Sequence, residues 1–498
     1  MDRVTVKRMG GAAIGRWTVS IAALIAAGLP TVASADTLRD ALAQTYASNP
    51  TLTGARAGLR ATDEGVAIAR APGLPDISAE ASYRRFVKRS ANSFTSPKKA
   101  LGGSVTATVP LYEGGFVRNS ISAAKARVEQ GRASLQATEG DVFTQAVAAY
   151  MDVIRDSAIV DLNAGNVKVL ETNLQASKDR FQVGDLTRTD VAQSEARLSV
   201  ARSDLQRAQA NLDFSRQTYL EVVGKFPGNL EAPPVLPGLP AASDDAVEVA
   251  VANNPDLAAA RQAARAAEYD IGVAEGLRMP KFSAFGTGNY VDYQGTLGGG
   301  RAGLKQIDKT ATVGLQASVP IFQGGEPGAK VRQAQARKSQ ALEAQTAAER
   351  AVIADARVAF SRYQAALGVI DSSQEAVSAN ELALEGVRAE QGVGTRNVLD
   401  VLNAEQELLN SRSTLISAKR DAYVAGFALL AAMGRAQARD LGLDGGSLYD
   451  PVANYRRVHG KIWDWGSDPK PKPIAASTKG EPSVAAVPAH SPVATPEK

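Results

Sequence analysis

The chain has 498 residues, of which 44% are apolar, 5% aromatic and 22% charged, and its formal charge is only +4. With no cysteine it can form neither disulfides nor thiolate metal sites. Its two histidines, His459 and His490, argue against a histidine-based metal or acid–base centre.

Arg3, Lys7, Arg8 and Arg16 precede an apolar run from Trp17 to Leu29, and Ala33-Ser34-Ala35 fits the small-residue cleavage rule. Residues 1–35 therefore read as a secretory signal peptide. The run is short for a transmembrane anchor, and no second candidate of spanning length follows. Removing the four basic residues and one acid of this leader leaves 52 basic against 51 acidic residues, a net charge of +1. Charge gives no support for nucleic-acid binding.

From Asp36 to about Arg70 the pattern is helical, with Leu38, Leu42 and Tyr46 spaced by four and an interruption at Asn49-Pro50. The same pattern returns from Asp244 to about Leu277, with Asn254-Pro255 lying 205 residues after the first Asn-Pro. Each proline suits the first turn of a new helix, where its missing N–H costs nothing. Next come segments of strict alternation. Val105, Ala107, Val109 and Leu111 interleave with Ser104, Thr106 and Thr108, and Ala311 to Ile321 behaves alike. Weaker partner strands precede them at Asp76–Lys88 and Lys281–Tyr293. Period-two alternation puts one face in an apolar medium and the other in water. Two soluble hairpins packed on helices would show some of this. Segments of ~10 residues with polar side chains on one face fit membrane strands better. Four strands cannot close a barrel whose smallest common size is ~8, and open edges are not tolerated in lipid. The chain must then oligomerise, each protomer adding four strands.

After Gly115 helical periodicity runs without proline to about Phe181, on the order of 100 Å of helix. Val167, Leu170, Leu174, Ser177 and Phe181 are spaced by three and four, and beyond a break follow Val191, Ser194, Leu198, Ala201, Leu205, Ala208 and Leu212. Val401, Ala404, Leu408, Ser411, Leu415, Ala418 and Ala422 repeat that register 210 residues later. These are coiled-coil heptads, with small residues that let backbones approach closely. The breaks themselves, Val183-Gly184-Asp185-Leu186-Thr187-Arg188-Thr189-Asp190 and Val393-Gly394-Thr395-Arg396-Asn397-Val398-Leu399-Asp400, read as hairpin tips and keep the offset of 210. So do Pro110 and Pro320, Gly114-Gly115 and Gly324-Gly325, Glu195 and Glu405, and Gly224 and Gly434. The chain is an internal duplication.

The organisation is then a signal peptide at 1–35 and a first repeat at 36–224. A connector at 225–242 carries five prolines, and a second repeat follows at 243–434. An aromatic segment occupies 435–466, and a Pro/Ala-rich tail at 467–498 reads as disordered. Trp463 and Trp465 suggest that the aromatic segment docks onto the folded body; a membrane-interface anchor is the alternative.

The duplication, the two tips, and the joins Val109-Pro110-Leu111-Tyr112-Glu113-Gly114-Gly115 and Val319-Pro320-Ile321-Phe322-Gln323-Gly324-Gly325 resemble the TolC-like outer-membrane factor family over about Asp36 to Trp465. The resemblance implies a mixed α/β membrane protein. In it, four β-strands per protomer complete a trimeric, twelve-stranded outer-membrane barrel, continued by a coiled-coil α-helical tunnel through the periplasm. It implies a homotrimer in outer-membrane lipid, with a periplasmic adaptor and an inner-membrane ABC or RND transporter as partners. It implies neither catalysis nor cofactor nor metal. The adaptor would grip the tips at Val183, Gly184, Val393 and Gly394. Arg396 matches a gate arginine, and Asp190 with Thr189 match its acceptors on the other hairpin. Gln391 stands where the family has a gate tyrosine. Asp400 matches an aspartate ringing the constriction, while Asn403 replaces a second one, which implies weaker charge selectivity.

The resulting expectation is an exit duct for secreted protein, drugs or both. Two other classes compete. A periplasmic coiled-coil adaptor would carry one hairpin flanked by soluble β domains, not two hairpins with membrane-patterned strands. An outer-membrane esterase would need a nucleophile and base, but no Gly-x-Ser-x-Gly motif occurs and neither histidine has a triad context.

Overall fold

A computed structural model describes residues 36–88, 97–299, 303–443 and 448–480. The expected signal peptide and residues 481–498 of the expected tail lie outside the described residues.

Thr37 and Asp40 form a capping box that starts α1 (Leu38–Ser48). Asn49 then accepts hydrogen bonds from the N–H groups of Thr51 and Leu52 and starts α2 (Pro50–Arg70). Asn254 repeats this between α5 (Ser243–Asn253) and α6 (Pro255–Gly276). Each cap also reaches across the fold. Asn49 Nδ2 donates to the Val222 carbonyl at 2.9 Å, and Asn254 Nδ2 to the Ala432 carbonyl at 3.1 Å. One side chain thereby starts a short helix and anchors the end of a long hairpin.

The strands β1 (Asp76–Arg85), β2 (Lys99–Glu113), β3 (Lys281–Asp292) and β4 (Ile307–Ser318) form one antiparallel sheet in chain order. The two repeats meet where β2 pairs with β3, from Leu101 with Asp292 to Glu113 with Lys281. The register shifts between Pro110 and Tyr112, where proline has no N–H to give the ladder. β1 and β4 are sheet edges. Their apolar side chains are bare in the single chain, with Ile77 73%, Val313 86% and Leu315 79% exposed.

Gly115 and Gly325 both sit at φ 82°, left-handed turns that favour glycine, and each releases the chain into a 67-residue helix. These are α3 (Phe116–Gln182) and α7 (Glu326–Gly392), followed by α4 (Arg188–Val223) and α8 (Val398–Ala432). At ~1.5 Å per residue α3 and α7 are each about 100 Å long. The heptad residues Ser194, Leu198, Ala201, Ala208 and Leu212 are buried, as are Val401, Leu408, Leu415, Ala418 and Ala422. Phe181, expected in this seam, is 45% exposed. In the register that brings Ser177 onto Ser194 it falls opposite the polar first turn of α4.

The main core lies midway along the molecule, where α1, α3, α4 and α8 surround Phe143, Val147, Tyr150, Tyr219 and Phe427. Tyr150 donates to the carbonyls of Asp36 at 2.9 Å and Glu231 at 2.7 Å, fixing the start of the folded body to the proline-rich connector. The segment after α8 docks here too. The Tyr449 N–H donates to the Tyr46 hydroxyl at 3.0 Å, Asn454 in α9 (Ala453–Val458) donates to Asp63 at 2.8 Å, and Val458 is fully buried. The expected agents of docking, Trp463 and Trp465, are instead 75% and 86% exposed. The Tyr449 backbone N–H and the Asn454 side-chain amide find partners in this groove, whereas the two indoles lie past the end of α9. Among the described residues no helix is long and apolar enough to cross a membrane.

Candidate functional site

The two long hairpins end in copies of one turn. Gly184 and Gly394 both adopt φ 83°, and their N–H groups return to the carbonyls of Phe181 and Gln391, each at 3.0 Å. Thr187 and Asn397 then start α4 and α8 by capping boxes with Asp190 and Asp400. The turn points Val183 and Val393 outward, 80% and 77% exposed. Two apolar side chains thus stand exposed at the ends of the two hairpins.

The polar tip residues are engaged locally. The Asp190 carboxylate accepts from the Thr187 hydroxyl at 2.7 Å and from its N–H at 2.9 Å, which holds its pKa below the ordinary 3.8. Arg396 Nε donates to Glu390 at 2.7 Å within its own hairpin, and Glu390 raises the guanidinium's pKa. The expected Arg396–Asp190 link is not made within the protomer. Glu390 lies six residues away on the same turn and reaches the guanidinium first, while Asp190 is held by its cap. Thr189 is an exposed residue in the first turn of α4, and Gln391 is half-buried under the second tip. The Asp400 carboxylate lies 3.4 Å from the Asn397 N–H.

Asn403, expected as a substituted ring position, instead accepts from Arg197 Nη2 at 2.7 Å, joining α8 to α4. Two turns from the tip a second link joins the hairpins. Glu405 in α8 is 8% exposed and accepts from Asn173 in α3 at 3.1 and 3.2 Å and from Arg388 in α7 at 2.8 Å. Beside it Leu402 packs on Leu170 and Leu198 of the other hairpin. The sequence reading missed Asn173, Arg197, Arg388 and Glu405 as a site. A signal was present, because Lys178 and Glu195 pair at 3.1 Å at the positions that become Arg388 and Glu405 after 210 residues. The first pair is a solvated surface bridge, and the second is closed over by the neighbouring hairpin. The arrangement has the chemistry of a latch: directional, charge-assisted bonds between two rigid arms.

The model of the outer membrane efflux protein family matches residues 41–225 and 246–435. The chain is 33% identical over 429 residues to the outer membrane efflux protein BepC of Brucella suis, covering 86% of this chain and 92% of that one. It is 26% identical over 435 residues to the outer membrane protein TolC of Escherichia coli, covering 86% and 88%. The crystal structure of the outer membrane protein VceC of Vibrio cholerae superposes with a TM-score of 0.68 at 21% identity, over 80% of this chain and 96% of that one.

Proposed function

Because the chain belongs to the outer membrane efflux protein family, we propose that it is the outer-membrane exit duct of a tripartite export system, carrying secreted protein, drugs or both to the exterior. The observation that carries this reading is one sheet with two open edges, continuous with helices of about 100 Å that end in polar, cross-linked hairpins. Bare edges with exposed apolar side chains need further strands in lipid. A homotrimer supplies them, closing twelve strands with the edge of β1 on a neighbour's β4. The helices then enclose a water-filled passage, and no catalytic group is needed.

The remaining assignments rest on the resemblance and the tip geometry together. Residues 1–35 direct secretion and are removed, and the two repeats and their connector form the duct wall. Val183, Gly184, Val393 and Gly394 form the adaptor contact, and an ABC or RND transporter supplies cargo from the inner membrane. Asn173, Arg197, Asn403, Glu405 and Arg388 hold the hairpins of one protomer together in the resting state. Arg396 can meet Asp190 or Thr189 only across hairpins, by exchanging its bond to Glu390, with Gln391 beside it. Asp400 contributes one carboxylate per protomer to a ring at the constriction.

Two measurements on detergent-extracted protein test the reading. Chemical cross-linking should give a trimer that dissociates on heating, and planar bilayers should show a small, gated conductance. A monomer released without detergent and silent in bilayers would favour the adaptor alternative.

A further inference from the structure

A cleft of about 340 Å³ lies beside the mid-molecule core, far along α3 from the tips. Its walls come from α1, α2, α3, α6 and two stretches between α8 and α9. Buried polar side-chain atoms without a hydrogen-bond partner gather around it. Arg56 Nη2, Arg132 Nε and Nη2, Gln262 Oε1 and the Tyr449 hydroxyl all belong to residues of its lining. Unpartnered buried polar atoms are uncommon in native proteins, and a group of them around one cavity marks a place for an ion or bound group.

The geometry of the two guanidinium groups says which kind. The Arg56 guanidinium carbon lies over the Tyr46 ring, 4.1 Å from its centroid, and over that of Tyr449 at 5.3 Å. Arg132 lies 5.4 Å from the centroid of Tyr455. A cation–π contact draws on the charge of a guanidinium but does not accept its N–H bonds. Arg132 spends Nη1 on Glu129 at 2.5 Å. The edge left over, Nε with Nη2, is the two-pronged edge that matches two oxygens of one carboxylate or phosphate. Three arginines line the cleft, Arg439 being the third, against two acids. Of these Glu129 is paired, and Glu139 accepts from the Ala438 N–H at 2.6 Å while burial raises its pKa. The balance is cationic.

We propose that this cleft binds a small oxyanion, a phosphate or a carboxylate, with Arg132 as the bidentate anchor and Arg56 as the second donor. Such a ligand would tie α2 and α3 to the segment after α8. It acts at a distance from the tips and does not depend on how the duct is gated.

The test uses the full-length protein purified in detergent. Equilibrium dialysis with radiolabelled inorganic phosphate, competed by unlabelled succinate, separates the two chemistries. Saturable uptake of one ion per protomer is expected, with competition by succinate if a carboxylate is the better fit. Melting temperature should rise with the bound ion at constant ionic strength, relative to chloride. Arg132→Gln should weaken binding about tenfold or more. Arg132→Lys keeps the charge but loses the fork, and should weaken it nearly as much. If neither ion binds saturably, or if Arg132→Lys and Arg56→Gln bind as the wild type does, the assignment is overturned. Bilayer conductance should be the same in these variants, so failure here leaves the duct reading standing.

Discussion

The link between hairpins gives the sharpest test, made by replacing Asn173 and Arg197 with alanine together. This removes the donors that reach from the first hairpin to Glu405 and Asn403 and leaves the packing inside each hairpin intact. Asn173 donates to a carboxylate that is 8% exposed, so its bond belongs to the charge-assisted class, at the low end of ~1.5–3 kcal/mol. The Arg197–Asn403 bond is exposed and adds at most ~0.5 kcal/mol. The loss is about 2 kcal/mol per protomer, and about 6 kcal/mol for a symmetric trimer if the three links are independent. At 1.4 kcal/mol per decade this moves a closed–open balance by about four decades at most. Leu402 still packs on Leu170 and Leu198, which opposes full separation. The double variant should therefore show a large rise in single-channel conductance in planar bilayers with little change in trimer melting. Arg202→Ala is the control, because it breaks a pair with Glu171 inside the first hairpin and should change nothing. Wild-type conductance in the double variant would mean that these bonds follow closure and do not hold it.

Gly394→Trp should abolish export while trimers persist. No atom lies within 4 Å of the position a Cβ would take, so the fold loses only the ~1–2 kcal/mol of a left-handed residue while the contact surface is blocked; normal export would remove the tips as the adaptor contact. Arg396→Ser should raise conductance through loss of the cross-hairpin exchange, and wild-type conductance would leave Arg396 a turn residue serving only Glu390. Asp400→Ala should leave resting conductance nearly unchanged and reduce block by multivalent cations from the periplasmic side, whereas unaltered block would place the carboxylate outside the constriction. Protein from outer-membrane fractions should begin at Asp36 on N-terminal sequencing, and an intact Met1 in the inner membrane would refute the cleavage assignment.

The offset of 210 predicted the long helices, which start at Phe116 and Glu326 and end at Gln182 and Gly392. This was legible because helix ends are written locally, in Gly114-Gly115, in the Val-Gly tips and in the capping residues Thr187 and Asn397. The heptads likewise predicted which faces bury inside each hairpin, since that packing is set by periodicity. What could not be read was the partner of an exposed charge. Arg396 is matched to Asp190 and Thr189 by the resemblance, and only the backbone path of the tip shows that Glu390 is the nearer acceptor. The Trp463-Asp464-Trp465 stretch misled for a related reason. Aromatic content predicts affinity for a surface but does not say that the polar groove against α2 selects Tyr449 and Asn454.

The docking of one hairpin on the other was partly legible, in the places where the duplication fails. The acid–base pair recurs, as Lys178 with Glu195 and Arg388 with Glu405, yet Glu195's side chain is 53% exposed and that of Glu405 only 7%. In the single chain the second hairpin's Glu405 is covered by the first hairpin, while among the described residues no neighbour covers Glu195. Asn173 supplies the cross-hairpin donor, and its counterpart 210 residues on is Ala383, which has none. Arg197 reaches Asn403, and its counterpart is Glu407, an acceptor where a donor would be needed. Copy one therefore carries the donors and copy two the acceptors. Within a protomer they face each other. In the proposed ring, each second hairpin also meets the first hairpin of the next protomer, on its other flank. There the duplicate latch cannot form, because Ala383 and Glu407 offer no donor. The two kinds of seam in the closed tunnel are thus chemically unequal. In the wild type the hairpins of one protomer should therefore stay paired longest, and removing Asn173 and Arg197 should let this seam open together with the one between protomers.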